Sequence, residues 1–388
     1  MTRAFFVPFV LATLVPAAAL AQDADAPAPN PEAKPAAEPE EDAAVPARGD
    51  APPPNADEVR RWTDYVSPGV DIIGQYGVSL RKVNGETDWF HEFEIPRIFG
   101  TITGHYEELE ARLVVESVRS SSEGALIGVA GDSFVIRLRE AYAGYTAFEH
   151  LELKLGLVRT LTIPALQRGW DTRAISAVGT QRVAYASPAD LGATARGLLP
   201  EGFGWVGVGA YNGEGYNRRE LNRGKNVEIA AEIHPLAFIE AVEPLGLFFS
   251  YVSGSTGVAL ARQNRFTGAV MWTMDRLGVG ASVVYAQGVQ DRGETKGALV
   301  EGWVRGEPYD NVLLAAQVAQ WWRDLDAPER DTVLTVTGAA GYRILEPLEA
   351  FLAVDALVTS DAAATALPEL DDYRFRAVTR VSFDDGGF

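Results

Sequence analysis

Arg168, Arg173 and Arg182 punctuate the stretch TIPALQRGWDTRAISAVGTQRVAYASPADLGATARG, Thr162 to Gly197, which also holds Arg196 and only two acids, Asp171 and Asp190. The chain as a whole is strongly acidic, with a formal charge of −19 over 388 residues. A guanidinium stays charged at any physiological pH and offers a planar fork of donors to carboxylate or phosphate oxygens. In a narrow, partly desolvated passage such charges act strongly on ions. Arg137, Arg139 and Lys154 lie shortly upstream, alternate with other residues and would project to the same polar side. The chemistry open to this set is selection, which a pore exercises through its width, its hydrogen-bonding groups and the sign of its lining charge. The plainer alternative is that the arginines pair with acids and brace the segment. Trp170, between Arg168 and Arg173, reads as an anchor for the segment or as a stacking and cation–π platform for a solute.

Covalent chemistry is poorly provided for. The four histidines, His91, His105, His150 and His234, have no metal-ligand spacing. The chain has no cysteine, which removes disulfides, thiolate metal sites and a thiol nucleophile. No G-x-S-x-G occurs. Gly213-Glu214-Gly215 is turn chemistry without the strand–turn–helix context of a phosphate cradle. The acid pairs Asp324 with Asp326 and Asp371 with Asp372 read as solvated loop surface. We therefore expect no enzyme, no cofactor and no metal. The acidic balance also speaks against nucleic acid as a partner, since its phosphates require a basic footprint.

The elements that would position these arginines are strands. HLELKLGLVRT, from His150, places Leu151, Leu153, Leu155 and Leu157 on one face and Glu152, Lys154, Gly156 and Val158 on the other. The same period of two recurs in Leu109 to Glu116, Val227 to His234, Leu277 to Tyr285, Val312 to Ala319 and Tyr373 to Phe383. About sixteen such segments follow one another from about Val70, each long enough to cross a bilayer when tilted. Tight joins at Thr146 to Glu149, Met274 to Arg276 and Glu307 to Asp310 alternate with longer polar ones, Arg119 to Gly131, Gly213 to Lys225, Ser253 to Asn264 and Ser360 to Asp371. That two-ended asymmetry belongs to an outer-membrane barrel. Period two alone would also allow a large sandwich or propeller. The strands are long for a sandwich, and no blade-length repeat recurs. Trp205, Tyr211, Tyr251, Trp272, Tyr285, Trp321, Tyr342, Tyr373 and Phe383 lie near strand ends, where they would form interfacial girdles. The fold class expected is all-β: a transmembrane antiparallel β-barrel of about 16 strands with a disordered N-terminal leader.

Residues 1–21, MTRAFFVPFVLATLVPAAALA, combine Arg3, an apolar run and the ending Ala19-Leu20-Ala21, as in a secretory signal peptide cleaved before Gln22. Residues 22–60 are rich in Ala, Pro and acids and lack aromatics up to position 58. They are expected to remain a disordered periplasmic leader that cannot offset its ordering entropy. Ten acids and two bases fall within residues 22–58, so much of the chain's negative charge belongs to this tail. Residues 61–388 would form the barrel, with an inward loop at about 162–182. The last alternating strand ends at Phe383, and a second aromatic closes the chain at Phe388. Either could serve as the assembly signal.

The middle of the chain resembles the phosphate-selective porin O and P family. The resemblance is carried by SFVIRLREAYAGYTAFEHLELKLGLVRTLTIPA (Ser133 to Ala165), ADLGATARG (Ala189 to Gly197) and GVGAYNGEGYN (Gly207 to Asn217), and covers roughly a third of the chain. It implies a sixteen-stranded, usually trimeric porin of the bacterial outer membrane, with the loop after the fifth strand folded into the lumen. His150 to Thr160 is the fifth strand by our count. Phosphate-specific members line the pore with arginines and some lysines, to which Arg168, Arg173 and Arg182 correspond by position in the loop. Ala189 stands where an arginine is common. The function expected is passive diffusion of small hydrophilic solutes and ions across outer-membrane lipid, anions such as phosphate among them, by a homotrimer. The alternative is a structural or adhesive barrel with an occluded lumen.

Overall fold

The structure is a computed structural model. It describes residues 65–83, 86–120, 133–217, 220, 222–239, 242–257, 260–289, 292–329, 331–367 and 373–383. The signal-like residues 1–21, the acidic leader, Asp371, Asp372, Phe388 and most of the Arg119 to Gly131 join lie outside the described residues.

Sixteen strands close into one antiparallel barrel. In chain order they are β1 (Val66–Val83), β2 (Glu86–Tyr106), β3 (Leu109–Ser120), β4 (Ser133–Ala147), β5 (Leu151–Arg159), β6 (Ala189–Leu198), β7 (Gly204–Tyr211), β8 (Asn226–Ile233), β9 (Leu245–Ser253), β10 (Asn264–Met274), β11 (Leu277–Val289), β12 (Arg292–Tyr309), β13 (Val312–Asp324), β14 (Asp331–Leu345), β15 (Leu348–Thr359) and β16 (Tyr373–Phe383). Each pairs with its sequence neighbours, and β1 closes the ring on β16 with Ile72 opposite Val381. A closed ring leaves no edge of unpaired N–H and C=O groups, the condition for strands to cross lipid. No helix among the described residues is long and apolar enough to cross a membrane.

Alternation sorts the side chains as the sequence reading required. Leu153, Leu155, Val206, Val208, Ile229, Val279, Val283, Leu314 and Val318 are exposed on the outside, while Glu116, Glu228, Glu232, Glu301 and Gln317 are buried within. The joins are also two-sided. Two residues link β2 to β3, β10 to β11, β12 to β13 and β14 to β15, at the end where β1 begins and β16 stops. The long joins β5–β6, β7–β8, β9–β10 and β15–β16 occupy the other end.

Two irregularities interrupt the ladder near the inner arginines. Between β1 and β2 the register shifts after Ile73, where Pro96, which has no N–H to give the ladder, sits in the skipped portion of β2. Between β3 and β4 the register passes from Val114 opposite Glu140 to Val115 opposite Leu138. That bulge leaves Arg139 and Glu140 consecutive and both buried on the inner side. Bulges re-aim side chains in this way.

The aromatic girdle is only partly as expected. Tyr251, Tyr285, Tyr342, Tyr373 and Phe383 are exposed on the outer face. Trp205, Tyr211 and Trp321 instead point inward. Trp205 is tilted against Phe248 at 6.2 Å, Tyr211 donates to Glu228, and the Trp321 indole donates to the Tyr185 hydroxyl. Position near a strand end does not decide facing, whereas parity does.

Leu155 stands mid-strand on the outer face and is 69% exposed. Leu155→Arg is expected to lower the unfolding free energy in lipid vesicles by roughly 2–4 kcal/mol, the cost of a cation near the bilayer midplane. Urea titration with intrinsic fluorescence reads it, and a cost below that of Leu155→Ala would remove this face from the lipid.

Candidate functional site

The link between β5 and β6, residues 160–188, folds into two helices, α1 (Thr162–Trp170) and α2 (Gly179–Arg182). The sequence reading saw an irregular loop here and missed α1. Pro164 lies in its first turn, where the missing N–H costs nothing. Ile163, Leu166 and Trp170 at i, i+3 and i+7 form its apolar stripe. No side chain of its own caps the helix, since Leu161 precedes it. Glu228 of β8 does so instead, accepting from the Leu161 and Thr162 backbone N–H groups at 2.9 Å each and from the Thr162 hydroxyl at 2.6 Å. A carboxylate at a helix N-terminus satisfies orphan donors and meets the positive end of the dipole. At α2, Glu301 of β12 repeats the arrangement, accepting from the Gly179 N–H at 2.6 Å and from the Gln317 amide at 2.7 Å. A Cβ at Gly179 would stand 2.9 Å from that carboxylate oxygen, so glycine permits the approach.

The segment packs on one side of the lumen. Ile163, Leu166 and Trp170 join a buried apolar cluster with Trp205 (β7), Ala230 (β8), Phe248 (β9), Met271 (β10), Trp303 (β12) and Ala315 (β13). Ala174 and Ile175 pack with Ile73 (β1), Phe351 and Ala353 (β15) and Val378 (β16). Tyr185 packs with Val284, Val289, Leu299 and Ala319. Burial of this kind contributes about 1.5–3 kcal/mol for each large side chain.

The β2–β6 side stays polar. Two cavities open in the lumen, about 610 Å³ toward the long joins, where β7 to β11 supply most of the wall, and about 490 Å³ toward the short turns against β4 to β6, and Thr160 and Pro188 border both. The first has Arg97, Arg137 and Arg265 against Asp190, Glu214 and Glu228. The second has Arg139, Lys154, Arg159, Arg168, Arg173, Arg196 and Arg305 against Glu140, Glu152 and Asp171, an excess of positive charge.

The seven residues singled out from sequence divide. Arg168 ion-pairs with Glu232, Arg137 with Glu116 at 3.2 Å and Lys154 with Glu110 at 3.6 Å, so these three brace as well as line. Arg139, 3% exposed, lies 3.6 Å from Glu116 and 4.0 Å from Glu140. Arg173 donates to the Gln167 side chain, and among the described residues it makes no ion pair. Withdrawal from water pushes it down to about 9, with Arg139, Arg97 and Arg159 adding like charge, which leaves it cationic at neutral pH. Arg182 donates to the Thr335 hydroxyl at 3.0 Å on the far wall, away from the other six. Trp170 is 1% exposed and donates to the Ser176 carbonyl at 2.8 Å. Of its two readings the anchor has the geometry, because a solute cannot reach a buried indole.

The inner acids do not stand free against anions. Glu116 takes Arg97, Arg137 and Arg139, Glu152 takes Arg196, and Glu228 takes helix donors. On the last strand Arg374, Arg376 and Arg380 pair with Glu94, Asp355 and Asp71, the wall bridging that the sequence allowed. The lining also includes Arg97, Arg159 and Glu140, which reading the sequence did not single out. Arg159 has the parity opposite to Lys154 on the same strand, and the bulge gives Glu140 the facing of Arg139 despite its opposite parity. Among the described residues no group of His, Asp or Glu could hold a metal ion.

No protein-family model matches the chain, and no curated protein matches it either. Solved structures do. OmpF of Salmonella typhi, in complex with daunomycin, superposes with a TM-score of 0.60 at 13% identity over 82% of this chain and 97% of that one. An anion-selective porin from Comamonas acidovorans gives 0.56 at 11% identity over 82% and 99%. OmpT of Vibrio cholerae, an outer membrane protein in a trimer form, gives 0.51 at 12% identity over 82% and 100%. The likeness is one of fold, and it is to outer-membrane porins. With its closed ring and apolar outer face, the chain belongs in the bacterial outer membrane.

Glu228→Gln keeps the size but replaces one acceptor oxygen by an amide that must point at donors. It is expected to cost about 1–2 kcal/mol at the α1 N-terminus and to make residues 160–188 more open to limited proteolysis. Unchanged cleavage would show that apolar packing alone fixes the segment.

Proposed function

We propose that the chain is a passive outer-membrane channel for small hydrophilic solutes, with a preference for anions. The observation that carries this reading is the one-sided packing of the inward segment. The segment packs against β7 to β13, β15, β16 and β1, and leaves two cavities with Thr160 and Pro188 common to both, one bordered mainly by β7 to β11 and the joins above them and one mainly by β4 to β6 and the segment itself. The cavity toward the short turns has an excess of positive charge, and the acids of both cavities are engaged in ion pairs or hydrogen bonds. An anion there gains from the fixed positive charge that lines the passage. Transport of this kind needs no bond to be made or broken, consistent with the lack of a catalytic constellation in the sequence. Residues 1–21 as an export signal, residues 22–60 as a periplasmic spacer and assembly as a homotrimer complete the proposal. The trimer follows from resemblance and from the assembly stated for one neighbour.

Single-channel recording in planar bilayers tests the reading, with chloride, phosphate and potassium as competing carriers. A stable conductance with a reversal potential on the anion side is expected. No conductance would favour an occluded structural barrel, and a cation-side potential would remove the anion preference.

The arginines of the segment are not equivalent. Arg173→Ala is expected to lower the anion-to-cation permeability ratio roughly threefold or more, with a smaller change for Arg168→Ala, whose charge Glu232 already offsets. An unchanged ratio in the double variant Arg168→Ala with Arg173→Ala would remove the segment from selectivity.

A further inference from the structure

Cations crowd the passage, and carboxylates are not all that meets them. Among the described residues Glu116 lies within ion-pair distance of Arg97, Arg137 and Arg139, and Glu140 of Arg112, Arg139 and Arg159. Arg173 adds another cation with no carboxylate of its own among the described residues. Like charges at this spacing repel, and long side chains would swing apart or collapse onto an acid if nothing else fixed them.

Two rings occupy the gaps. The Arg137 guanidinium carbon lies 4.9 Å from the centre of the Tyr216 ring, and that of Arg139 lies 5.6 Å from it. Arg139 is also 5.0 Å from the centre of the Phe99 ring, and Arg173 is 5.6 Å from the same centre. The groups therefore form a continuous column, Arg137, Tyr216, Arg139, Phe99, Arg173, in which every cation has an aromatic neighbour. Phe99 is fully buried on the inner side of β2. Tyr216 reaches in from the β7–β8 join, where its N–H donates to the Ala189 carbonyl at 3.0 Å. Its hydroxyl donates to Glu116 at 2.7 Å and accepts from Arg137 at 2.9 Å. The Arg139 Nη1 has no hydrogen-bond partner; it lies 3.6 Å from Glu116, a carboxylate shared with Arg97 and Arg137, and the two rings flank the same guanidinium.

We infer that Phe99 and Tyr216 are specificity-determining positioning residues of the passage: their ring faces hold Arg139 and Arg173 in place without neutralising them. A ring face attracts a cation through its quadrupole but carries no net charge. A carboxylate at either place would fix the arginine equally well and cancel its field. The column also couples two links that share no strand pairing, the β7–β8 join through Tyr216 and the inward segment through Arg173.

The inference rests on the anion preference proposed above. Reversal potentials in a potassium chloride gradient are measured for the wild type, Phe99→Leu, Tyr216→Leu, Tyr216→Phe and Tyr216→Trp, all refolded as full chains. Leucine keeps most of the apolar volume and removes the ring. Phe99→Leu and Tyr216→Leu are expected to lower the anion-to-cation permeability ratio about threefold each while leaving an open channel. Tyr216→Phe and Tyr216→Trp keep a ring and are expected to stay near the wild-type ratio. A structural role alone would change conductance and leave the ratio still. If both leucine variants keep the wild-type ratio, the inference is overturned and the anion preference stands. If the wild type itself shows no anion preference, the earlier reading fails first. Should Phe99→Leu not fold, the Tyr216 series decides, since that ring sits on a join: a ratio that falls in Tyr216→Phe as much as in Tyr216→Leu assigns the effect to the Glu116 hydrogen bond and overturns the inference.

Discussion

A strand in lipid must hand every backbone N–H and C=O to a neighbouring strand, and the pairing of β1 with β16 is what allows all sixteen to do so. Once the ring closes, parity is settled for every strand. Apolar residues face hydrocarbon, and charged residues of the mid-wall such as Glu116, Glu228, Glu232 and Glu301 face the inside. The lumen thus receives many ionised groups in little water, where an unmatched carboxylate or guanidinium is costly. The pairing of Asp71 with Arg380, Asp355 with Arg376 and Glu152 with Arg196 is the local answer. The positive remainder along β2 to β6 is what those pairings leave over.

The inward segment draws on the same interior in a different way. It brings apolar side chains to wall positions that are themselves apolar, such as Trp205, Phe248, Met271 and Trp303. One side of the barrel then has a hydrophobic core of the kind found in a soluble protein, and the other keeps a wet, charged wall. Glu228 and Glu301 belong to the crowded side yet are carboxylates, because there they face helix N-termini rather than cations. Acids in this lumen thus offset a cation, as Glu152 does, cap a helix, as Glu228 does, or hold a join, as Asp190 does by accepting from the Gly213 and Gly215 N–H groups.

Much of this was legible in the sequence, because a bilayer enforces period two with little tolerance. The strand His150 to Thr160 was countable as the fifth, and the long joins fell at one end, since alternation and turn residues are local signals. Lumen-facing Arg137, Arg139 and Lys154 followed from parity. What was not legible depended on partners far along the chain. Helix α1 has no cap of its own, so the usual start signal is missing at Leu161. Glu140 faces inward only through a bulge that alternation cannot foresee. Trp205, Tyr211 and Trp321 look like interfacial aromatics until the neighbours they meet inside are known. The resemblance noted from three segments pointed to the right number of strands, while its family assignment has no matching family model beside it.

The anchors of the inward segment also order its assembly. Thr162 is held by a residue 66 positions away, Gly179 by one 122 away and Ser176 by one 141 away. Every one of those partners is C-terminal and sits on a wall strand, and contacts of such long sequence separation form late. The segment cannot take up its place until β8, β12 and β13 have been laid beside their neighbours. A ring that has just closed is therefore still an empty cylinder, and the segment inside it is the last part to set.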